Sequence, residues 1–459
     1  MAIDQLNKDE FGEQLGEIVF PSCPIRSIEY LKGRDNELET IERALYQQGR
    51  HIFIYGDRGV GKSSLGATAA YQYQSSDAEP IFVSGSVDDT FKSVIVNIAN
   101  QALGKSRFES RKHREDYGFT WRGLKLGIGV EISPIELFSA IQTVGDATEL
   151  LKQITAIHSI KPIIVIDEFD ALTNSKEKDK FASLLKQLGD QSVNIKFIFT
   201  GIGKTLDELL GAHSSTYRQL ETVELSRLSW EGRREIVIKA ADAFGLCIDD
   251  NVNWRIATVS DGFPYYVQLI TEKMLWEAFS DSEKINELGF THYYRGLKKS
   301  IQSINAELKR PYEKAVIHRE LKYEPIVWAT ADGEDLYRNI ESMYDSYKAI
   351  IKQIDNQEQI LLARDKFSQH IRQLKSNNYG EILESIANRP GWYIYKEKML
   401  RGYVRMQAEA NEIKLLGEKE APRQKMRTPN NARTGYYGSR IPKDVKFANE
   451  RNTENEDNS

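Results

Sequence analysis

The sequence predicts an α/β chain in which a parallel sheet, covered by helices, is followed by helical segments. Its apolar segments are short and lack polar alternation, which is typical of strands buried on both faces of a parallel sheet. Helical stretches such as 63–74 and 179–191 separate them, as in alternating strand–helix folds. The predicted strands are HIFIY (51–55), PIFVSG (80–85), KPIIVID (161–167) and NIKFIFTG (194–201).

Composition narrows the classes of protein that the chain can represent. Its 459 residues include 62 Lys+Arg and 67 Asp+Glu, a net charge of −5, and 40% are hydrophobic. These values exclude a mostly disordered chain and a fibrous repeat, and they predict about three domains. Two distant cysteines, Cys23 and Cys247, are too few for a disulfide framework or a zinc site. We expect a cytoplasmic protein, since no segment has the pattern of a signal peptide or a membrane span.

Changes in pattern along the chain suggest its organisation. After residue 226 apolar residues recur at spacings of three and four, which predicts helices. Two β-like runs, 381–387 and 392–396, flank the turn signal Asn388-Arg389-Pro390-Gly391. We predict an N-terminal arm without sustained periodicity (1–27), an α/β core (28–225) with an insertion (105–130), a helical lid (226–305), a C-terminal domain (306–410) and a disordered tail (411–459).

A phosphate-binding loop is the strongest motif in the sequence. Residues 56–63 fit the pattern G-x-x-x-x-G-K-[ST] and lie between a predicted strand and a predicted helix. In such a loop main-chain amides and a helix N-terminus face phosphate oxygens. Lys62 would bind the β- and γ-phosphates and Ser63 would hold Mg²⁺. The candidate loop residues are Gly56, Asp57, Arg58, Gly59, Val60, Gly61, Lys62, Ser63 and Ser64.

Acidic residues at the end of a second strand complete the candidate site. Asp167 and Glu168 follow Ile163–Ile166, and ligands bind at this end of the strands in open parallel sheets. Asp167 would hold Mg²⁺ directly or through water, and Glu168 would polarise the attacking water. Thr200 ends the next strand, where a polar group could reach the γ-phosphate or the water. The alternatives are that the acidic pair caps a helix and that Thr200 closes a turn.

At these residues the sequence resembles the AAA+ ATPases. Gly33, Arg34 and Asp35 resemble the start of the segment that packs against adenine in that superfamily. Residues 83–103 are similar to the strand and helix that follow the phosphate-binding loop in replication initiators of the origin-recognition type. Thr200 matches the polar sensor position. Arg218 lies near the place of the arginine finger, with Arg227 and Arg233 as alternatives. The resemblance implies an AAA+ core with a helical lid, ATP and Mg²⁺ as cofactors, and self-association.

The lid departs from the initiator pattern. Gly262-Phe263-Pro264 resembles instead the G-x-P bend of STAND-type nucleotide-gated switches, with Pro264 near the nucleotide. The initiators usually carry an arginine near this bend, and none is present in 262–266. This difference favours tight ATP binding with slow hydrolysis.

The C-terminal domain resembles the winged helix that both groups carry, and this resemblance implies DNA binding. Helix 364–377 would be the recognition helix and 388–392 the wing. The alternative for this helix is a solvated face, or a winged helix that contacts protein. Basic residues in the insertion 105–129 and in the tail would add phosphate contacts, and the alternative for both is a solvated segment. The candidates are Arg364, Lys366, His370, Arg372, Lys375, Arg389 and Trp392; Lys105, Arg107, Arg111, Lys112, Arg114, Arg122 and Lys125; and Arg423, Lys425, Arg427, Arg433 and Arg440, near Tyr436 and Tyr437.

Three functions follow from these patterns. The preferred one is an ATP-hydrolysing enzyme that assembles on binding nucleotide and acts on DNA as an initiator or loader. The second is a STAND-like switch, in phage defence or signalling, that acts on an effector protein encoded separately. The third is an adaptor that binds nucleotide only to fold, which the acidic pair Asp167–Glu168 makes the weakest of the three.

Overall fold

The computed structural model describes most of the first 415 residues. Every described residue lies in one compact unit, Met1–Glu418. Of the predicted insertion only 118–127 is described, and of the predicted tail only 411–415. The described ranges are 3–74, 78–104, 118–127, 133–203, 205–206, 218–281, 284–317, 323–354 and 361–415.

Five parallel strands form the central sheet, in the order β2–β5–β6–β1–β7. The strands β1, β5 and β6 are buried over most of their length, as their unbroken apolar runs predict. The strands of the chain are β1 (His51–Gly56), β2 (Ile81–Ser84), β3 (Gly118–Trp121), β4 (Leu124–Gly127), β5 (Ile163–Asp167), β6 (Lys196–Gly201), β7 (Leu220–Leu225), β8 (Cys247–Ile248), β9 (Glu287–Leu288), β10 (Arg338–Asn339), β11 (Leu383–Ser385) and β12 (Trp392–Tyr395).

Helices cover the sheet and then form most of the chain after β7. The helix-period pattern beyond residue 226 is thus confirmed. The helices are α1 (Lys8–Ile18), α2 (Asp35–Tyr46), α3 (Lys62–Tyr73), α4 (Phe91–Gly104), α5 (Pro134–Ala140), α6 (Val144–His158), α7 (Ser175–Asp190), α8 (Trp230–Ala243), α9 (Asp250–Val259), α10 (Pro264–Phe279), α11 (Phe290–Ser303), α12 (Ala306–Val316), α13 (Tyr323–Ala331), α14 (Ile340–Gln353), α15 (Arg364–Gln373) and α16 (Lys398–Ala410). Among the described residues no helix combines the length and apolar character needed to cross a bilayer.

The two faces of the sheet belong to different hydrophobic cores. Successive side chains of a strand point to opposite faces, so Phe53 packs with Phe181 and Phe199 on one side. Ile52 and Ile54 belong to the core on the other side, which continues through Val267 and Val404 into the helices that follow. The helices after β7, including the C-terminal helix α16, are therefore joined to the central sheet by one continuous apolar interior.

The N-terminal segment contains the helix α1, where the sequence was expected to have no sustained periodicity. Asn7 caps α1, and Phe11, Leu15 and Ile18 form a buried stripe along it. The Phe11 ring stacks on Phe279 with centroids 4.3 Å apart. Spacings of four and three residues between these apolar positions are a helix signal. The apolar stripe is short, however, and Phe279, against which Phe11 packs, lies more than 260 residues away in the sequence.

The C-terminal part contains a small antiparallel sheet of order β10–β12–β11. Both predicted β-like runs are confirmed, and Asn388 and Gly391 between them adopt positive φ, as the turn signal requires. Helices α13, α14 and α15 precede the hairpin, and α16 follows it. The domain bounds assigned from the sequence stay predictions.

Candidate nucleotide-binding site

The loop between β1 and α3 has the geometry of a phosphate cradle. Gly61 caps the N-terminus of α3 with φ 99°, so the first amides of the helix point into the loop, where they would attract an anion. Gly56 adopts φ 154°, and a Cβ there would lie 2.3 Å from the Leu225 carbonyl oxygen. Only glycine lets strand β7 pass this close to the start of the loop.

The ammonium of Lys62 turns into the loop. Its Nζ donates to the carbonyl oxygens of Gly56 at 3.1 Å and Asp57 at 2.8 Å. Burial lowers the pKa of Lys62, while nearby carboxylates, with Asp170 and Asp167 the strongest, oppose that shift. A half-buried cation held by neutral carbonyls is well placed to exchange them for a phosphate, whose charge would offset the cost of its partial burial.

Asp167 lies at the centre of a small polar cluster at the carboxyl edge of the sheet. Its Oδ1 accepts a hydrogen bond from Ser63 Oγ at 2.9 Å and another from Thr200 Oγ1. Thr200 Oγ1 in turn accepts from the main-chain N–H of Glu168 at 3.1 Å. The structure therefore brings together Ser63, Asp167, Glu168 and Thr200 from three separate segments.

Glu168 is held in an unusual conformation. Its φ is 52°, in the left-handed region that non-glycine residues rarely adopt. It precedes a short 3-10 turn, Phe169–Ala171, and its side chain makes no capping bond there. The side chain is exposed, beside the cluster. The Glu168 side chain thus does not cap this turn, and backbone strain of this kind is common at functional sites.

The ligand chemistry of the cluster fits Mg²⁺. A hydroxyl and a carboxylate lie within 2.9 Å of each other, and Mg²⁺ prefers oxygen ligands, usually one or two from protein together with phosphate and water. Among the described residues no cluster of three or more His, Cys, Asp or Glu side chains is placed to hold a metal.

Two residues predicted to bind nucleotide, Arg34 and Ser64, make contacts that brace the loop. Arg34 is buried and donates to the carbonyls of Val60 at 3.0 Å and Ser226 at 2.7 Å, so its guanidinium fixes the loop to the end of β7. Ser64 Oγ accepts from the Ile25 amide at 3.2 Å and faces the N-terminal segment. Arg34 therefore holds the loop in place, and Ser64 joins α3 to the N-terminal segment.

The remaining nucleotide candidates lie at the rim. Gly33 approaches the lid, since a Cβ there would lie 2.9 Å from Gly232 Cα. Asp35 is exposed at the first turn of α2, and Arg58 is exposed with its guanidinium 3.8 Å from Glu307. Pro264 begins α10, and its Cγ lies 3.7 Å from the position of a Gly61 Cβ, so the lid bend does approach the loop.

The three arginine-finger candidates differ in their surroundings. Arg227 donates to Asp261 Oδ1 at 2.6 Å. Arg233 is buried and donates to the carbonyls of Leu228 and Ala257. Arg218, two residues before β7, is exposed. Arg227 and Arg233 are thus engaged within their own chain, whereas Arg218 has an exposed side chain.

Sequence reasoning missed one group at the loop. Lys398, the first residue of α16, donates to Asp57 Oδ1 at 2.6 Å. The next residue, Met399, packs against Gly59. A separation of 341 residues and the absence of any motif around Lys398 leave no local signal for this contact.

Some of the basic residues predicted to contact DNA are exposed, and others contact side chains of the same chain. Lys366 and Arg372 are exposed on α15. His370 Nδ1 lies 2.8 Å from the Tyr323 hydroxyl, and Arg122 donates to Asp146, so both candidates have a partner within the chain. Arg364 is exposed beside Glu341, Lys375 donates to Ser385, and Arg389 lies over the Trp392 ring. The other insertion candidates (Lys105, Arg107, Arg111, Lys112, Arg114 and the Lys125 side chain) and all the tail candidates lie outside the described residues.

Comparison with known proteins finds a family match that spans the loop and the acidic strand end. Residues 30–198 match the AAA ATPase domain family. No curated protein matches the chain. Among solved structures, the Walker-type ATPase PABY2304 of Pyrococcus abyssi is 16% identical, with a TM-score of 0.51, covering 84% of this chain and 99% of its own.

Two further structures are similar at lower scores. Cdc6p from Pyrobaculum aerophilum is 14% identical, with a TM-score of 0.43, covering 87% of this chain and 99% of its own. The Aeropyrum pernix ORC1 protein, solved in complex with DNA, is 14% identical, with a TM-score of 0.42, covering 83% and 93%.

These comparisons confirm two predictions. The α/β fold with a parallel-sheet P-loop AAA+ core is confirmed by the sheet and by the similarity to the Pyrococcus abyssi ATPase. The assignment as an enzyme, an ATPase, is confirmed by the match of residues 30–198 to the AAA ATPase domain family.

Proposed function

We propose that this protein binds ATP with Mg²⁺ between its P-loop and the lid bend, assembles in response, and acts on DNA as an initiator or loader. The observation that carries the proposal is the convergence of Lys62, Ser63, Asp167 and Thr200 at one edge of the sheet. A cytoplasmic location also stays a prediction.

In this proposal each residue of the cluster has a distinct task. The loop amides and Lys62 bind the β- and γ-phosphates, and Ser63 with Asp167 holds Mg²⁺, which neutralises charge on the phosphates. Glu168 orients the attacking water, and Thr200 fixes the backbone of Glu168 and the carboxylate of Asp167. Absence of an arginine from the lid bend favours slow turnover.

The C-terminal part supplies the proposed DNA contact. Its order of helix, strand, two helices and a two-stranded hairpin, from α13 to β12, is the order of a winged helix. Lys366, Gln369 and Arg372 are all exposed on α15 at spacings of three residues, so they share one face of the helix. Such a face suits a helix that contacts phosphates and base edges in the major groove.

Anisotropy of a labelled DNA duplex tests this proposal. We expect affinity to rise with ATP and to fall steeply with salt. The double variant Lys366→Ala/Arg372→Ala should reduce the salt slope by roughly two units, about one for each lost phosphate contact. Its matched control is Lys176→Ala/Lys186→Ala, two exposed lysines of α7. No binding at low salt, with or without ATP, would overturn DNA action and favour a switch acting on a protein partner.

Hydrolysis is tested separately. Glu168→Gln should retain ATP binding, measured by calorimetry, and lose phosphate release, whereas Lys62→Ala should lose both. If Glu168→Gln releases phosphate at the wild-type rate, the assignment of Glu168 is wrong.

Arg218 is proposed as an arginine finger supplied to a neighbouring subunit. It would stabilise charge on the γ-phosphate, an effect worth on the order of 10³ in rate. Specific ATPase activity should therefore rise with protein concentration and collapse in Arg218→Ala. The control is Arg43→Ala, an exposed arginine of α2. Specific activity that stays constant over a wide dilution series would contradict the proposal.

A further inference from the structure

The N-terminal end of α16 lies directly on the phosphate-binding loop. Glu397 caps this helix by accepting from the Met399 amide. Lys398 Nζ reaches Asp57 Oδ1 at 2.6 Å, with the lysine side chain 27% exposed and the aspartate 39%. A cation from the C-terminal part of the chain is thus positioned at the second residue of the loop.

Packing fixes the start of the helix while leaving the ammonium adjustable. The Tyr266 hydroxyl donates to the Met399 carbonyl at 2.7 Å in a buried contact. Met399 fills the space over Gly59, where a Cβ would lie 2.3 Å from its sulfur. These two contacts of Met399 therefore hold the backbone next to Lys398, whereas the four-carbon side chain of Lys398 can move its charge over several ångströms.

Electrostatics favours a second partner for this ammonium. Asp57 places a carboxylate beside the loop in which the phosphates of ATP would bind. The carboxylate and a phosphate would repel one another unless a cation lies between them. The lid bend 262–266 carries no arginine or lysine that could do so. Lys398 is a cation already in contact with the loop.

We propose that Lys398 is a nucleotide-binding residue, whose ammonium contacts the terminal phosphate of ATP and shares or leaves its contact with Asp57 when ATP binds. This inference rests on the proposed placement of ATP in the loop. It assigns to α16 a phosphate contact for which the lid bend 262–266 has no arginine or lysine. It also links the presence of the terminal phosphate to the proposed DNA-binding part, since α16 begins three residues after β12 ends.

Calorimetric titration with ADP and with a non-hydrolysable ATP analogue tests the inference. Lys398→Met keeps the apolar stem and should weaken binding of the ATP analogue about tenfold, the usual effect of losing one charged hydrogen bond. Binding of ADP should weaken less. Asp57→Asn releases Lys398 and should leave binding of the ATP analogue equal or tighter.

A matched control lies two residues away. Lys396 pairs with Glu381, away from the loop, so Lys396→Met should bind both nucleotides as the wild type does. Melting curves followed by circular dichroism check that each variant folds.

The opposite result is equally specific. If Lys398 only latches α16 to the loop, Lys398→Met and Asp57→Asn will change affinity in the same direction, and equally for ADP and the ATP analogue. That outcome, or unchanged binding in Lys398→Met, overturns the inference. Failure of the wild type to bind either nucleotide would instead overturn the placement of ATP.

Discussion

Arg227, just after β7, donates to Asp261 Oδ1 at 2.6 Å and thereby joins the ATPase sheet to the lid bend. The same carboxylate oxygen lies 3.6 Å from Arg401 Nη1 and 3.5 Å from Arg405 Nη1, both on α16. Asp261 is 2% exposed. Burial lowers the pKa of Arg401 to about 9, and Asp261 opposes that shift. One buried anion therefore connects three parts of the molecule.

Removing this anion should destabilise the fold strongly. Asp261→Asn keeps the shape and tolerates the left-handed backbone, but it leaves buried arginines without a counter-charge, which costs about 3–5 kcal/mol. The free energy of unfolding in urea measures it. The control is Asp250→Asn, which disturbs an exposed pair with Arg234 and should cost less than about 1 kcal/mol. Equal losses in the two variants would show that Asp261 has no special role.

Thr200 should affect hydrolysis more than binding. Thr200→Val removes the hydroxyl that contacts Asp167 and the Glu168 amide, so the attacking water loses its orientation. We expect kcat to fall roughly ten- to a hundredfold, corresponding to one or two lost hydrogen bonds, with little change in ATP affinity. Phosphate release at saturating ATP and Mg²⁺ measures kcat. Thr200→Ser retains the hydroxyl and should remain close to wild type; a loss as large as in Thr200→Val would contradict this role.

Gly402 should not tolerate alanine although it lies in a helix. A Cβ there would lie 2.6 Å from Tyr266 Cε2, and overpacking of this kind costs about 1–3 kcal/mol. Gly16 in α1 has open space around its Cβ position. Gly16→Ala should therefore stabilise the protein by about 0.5–1 kcal/mol. Thermal or urea unfolding of both variants checks the opposite signs, and stabilisation by Gly402→Ala would refute the close contact between α16 and α10.

His51 should make the fold sensitive to acid. Burial lowers its pKa from 6.5 to about 3, and the nearby charge of Lys196 adds to this. Between these values the unfolded chain binds the proton and the folded chain does not, so stability falls as pH drops below 6.5. The slope is about 1.4 kcal/mol per pH unit, or about 2 kcal/mol between pH 6.5 and pH 5.

A substitution isolates this contribution. His51 Nδ1 accepts from the Phe197 amide at 3.1 Å, and the Asn oxygen in His51→Asn can take that bond without titrating. The variant should lose less stability than the wild type over the same pH range, measured by urea unfolding at each pH. Parallel pH profiles would show that His51 does not cause the acid sensitivity.

Local patterns were sufficient to predict much of the core. The loop 56–63 and the end of β5 at Asp167 carry their signal in consecutive residues, because the phosphate cradle and a buried strand are both local structures. Lys62, Ser63 and Asp167 could therefore be named as candidates from the sequence, and the structure places them at one edge of the sheet. The hairpin turn at 388–391 was predicted in the same way.

Other roles were hidden because their partners lie far away in the chain. Arg34 resembles a nucleotide-contacting residue in sequence, yet it braces the loop through Val60 and Ser226. The local sequence does not show that His370 contacts Tyr323 or that Arg122 donates to Asp146, because these partners lie elsewhere in the chain.

By itself the sequence determined that this protein has a phosphate-binding loop motif, an acidic strand end and a parallel sheet. A tight glycine-containing turn and burial of a strand on both faces each require particular residue types at consecutive positions. Only the tertiary structure decided that α16 lies on the loop, that Asp261 joins three arginines, and that Phe11 anchors the N-terminus. These contacts depend on side chains brought together by chain packing, and no short-range pattern encodes them.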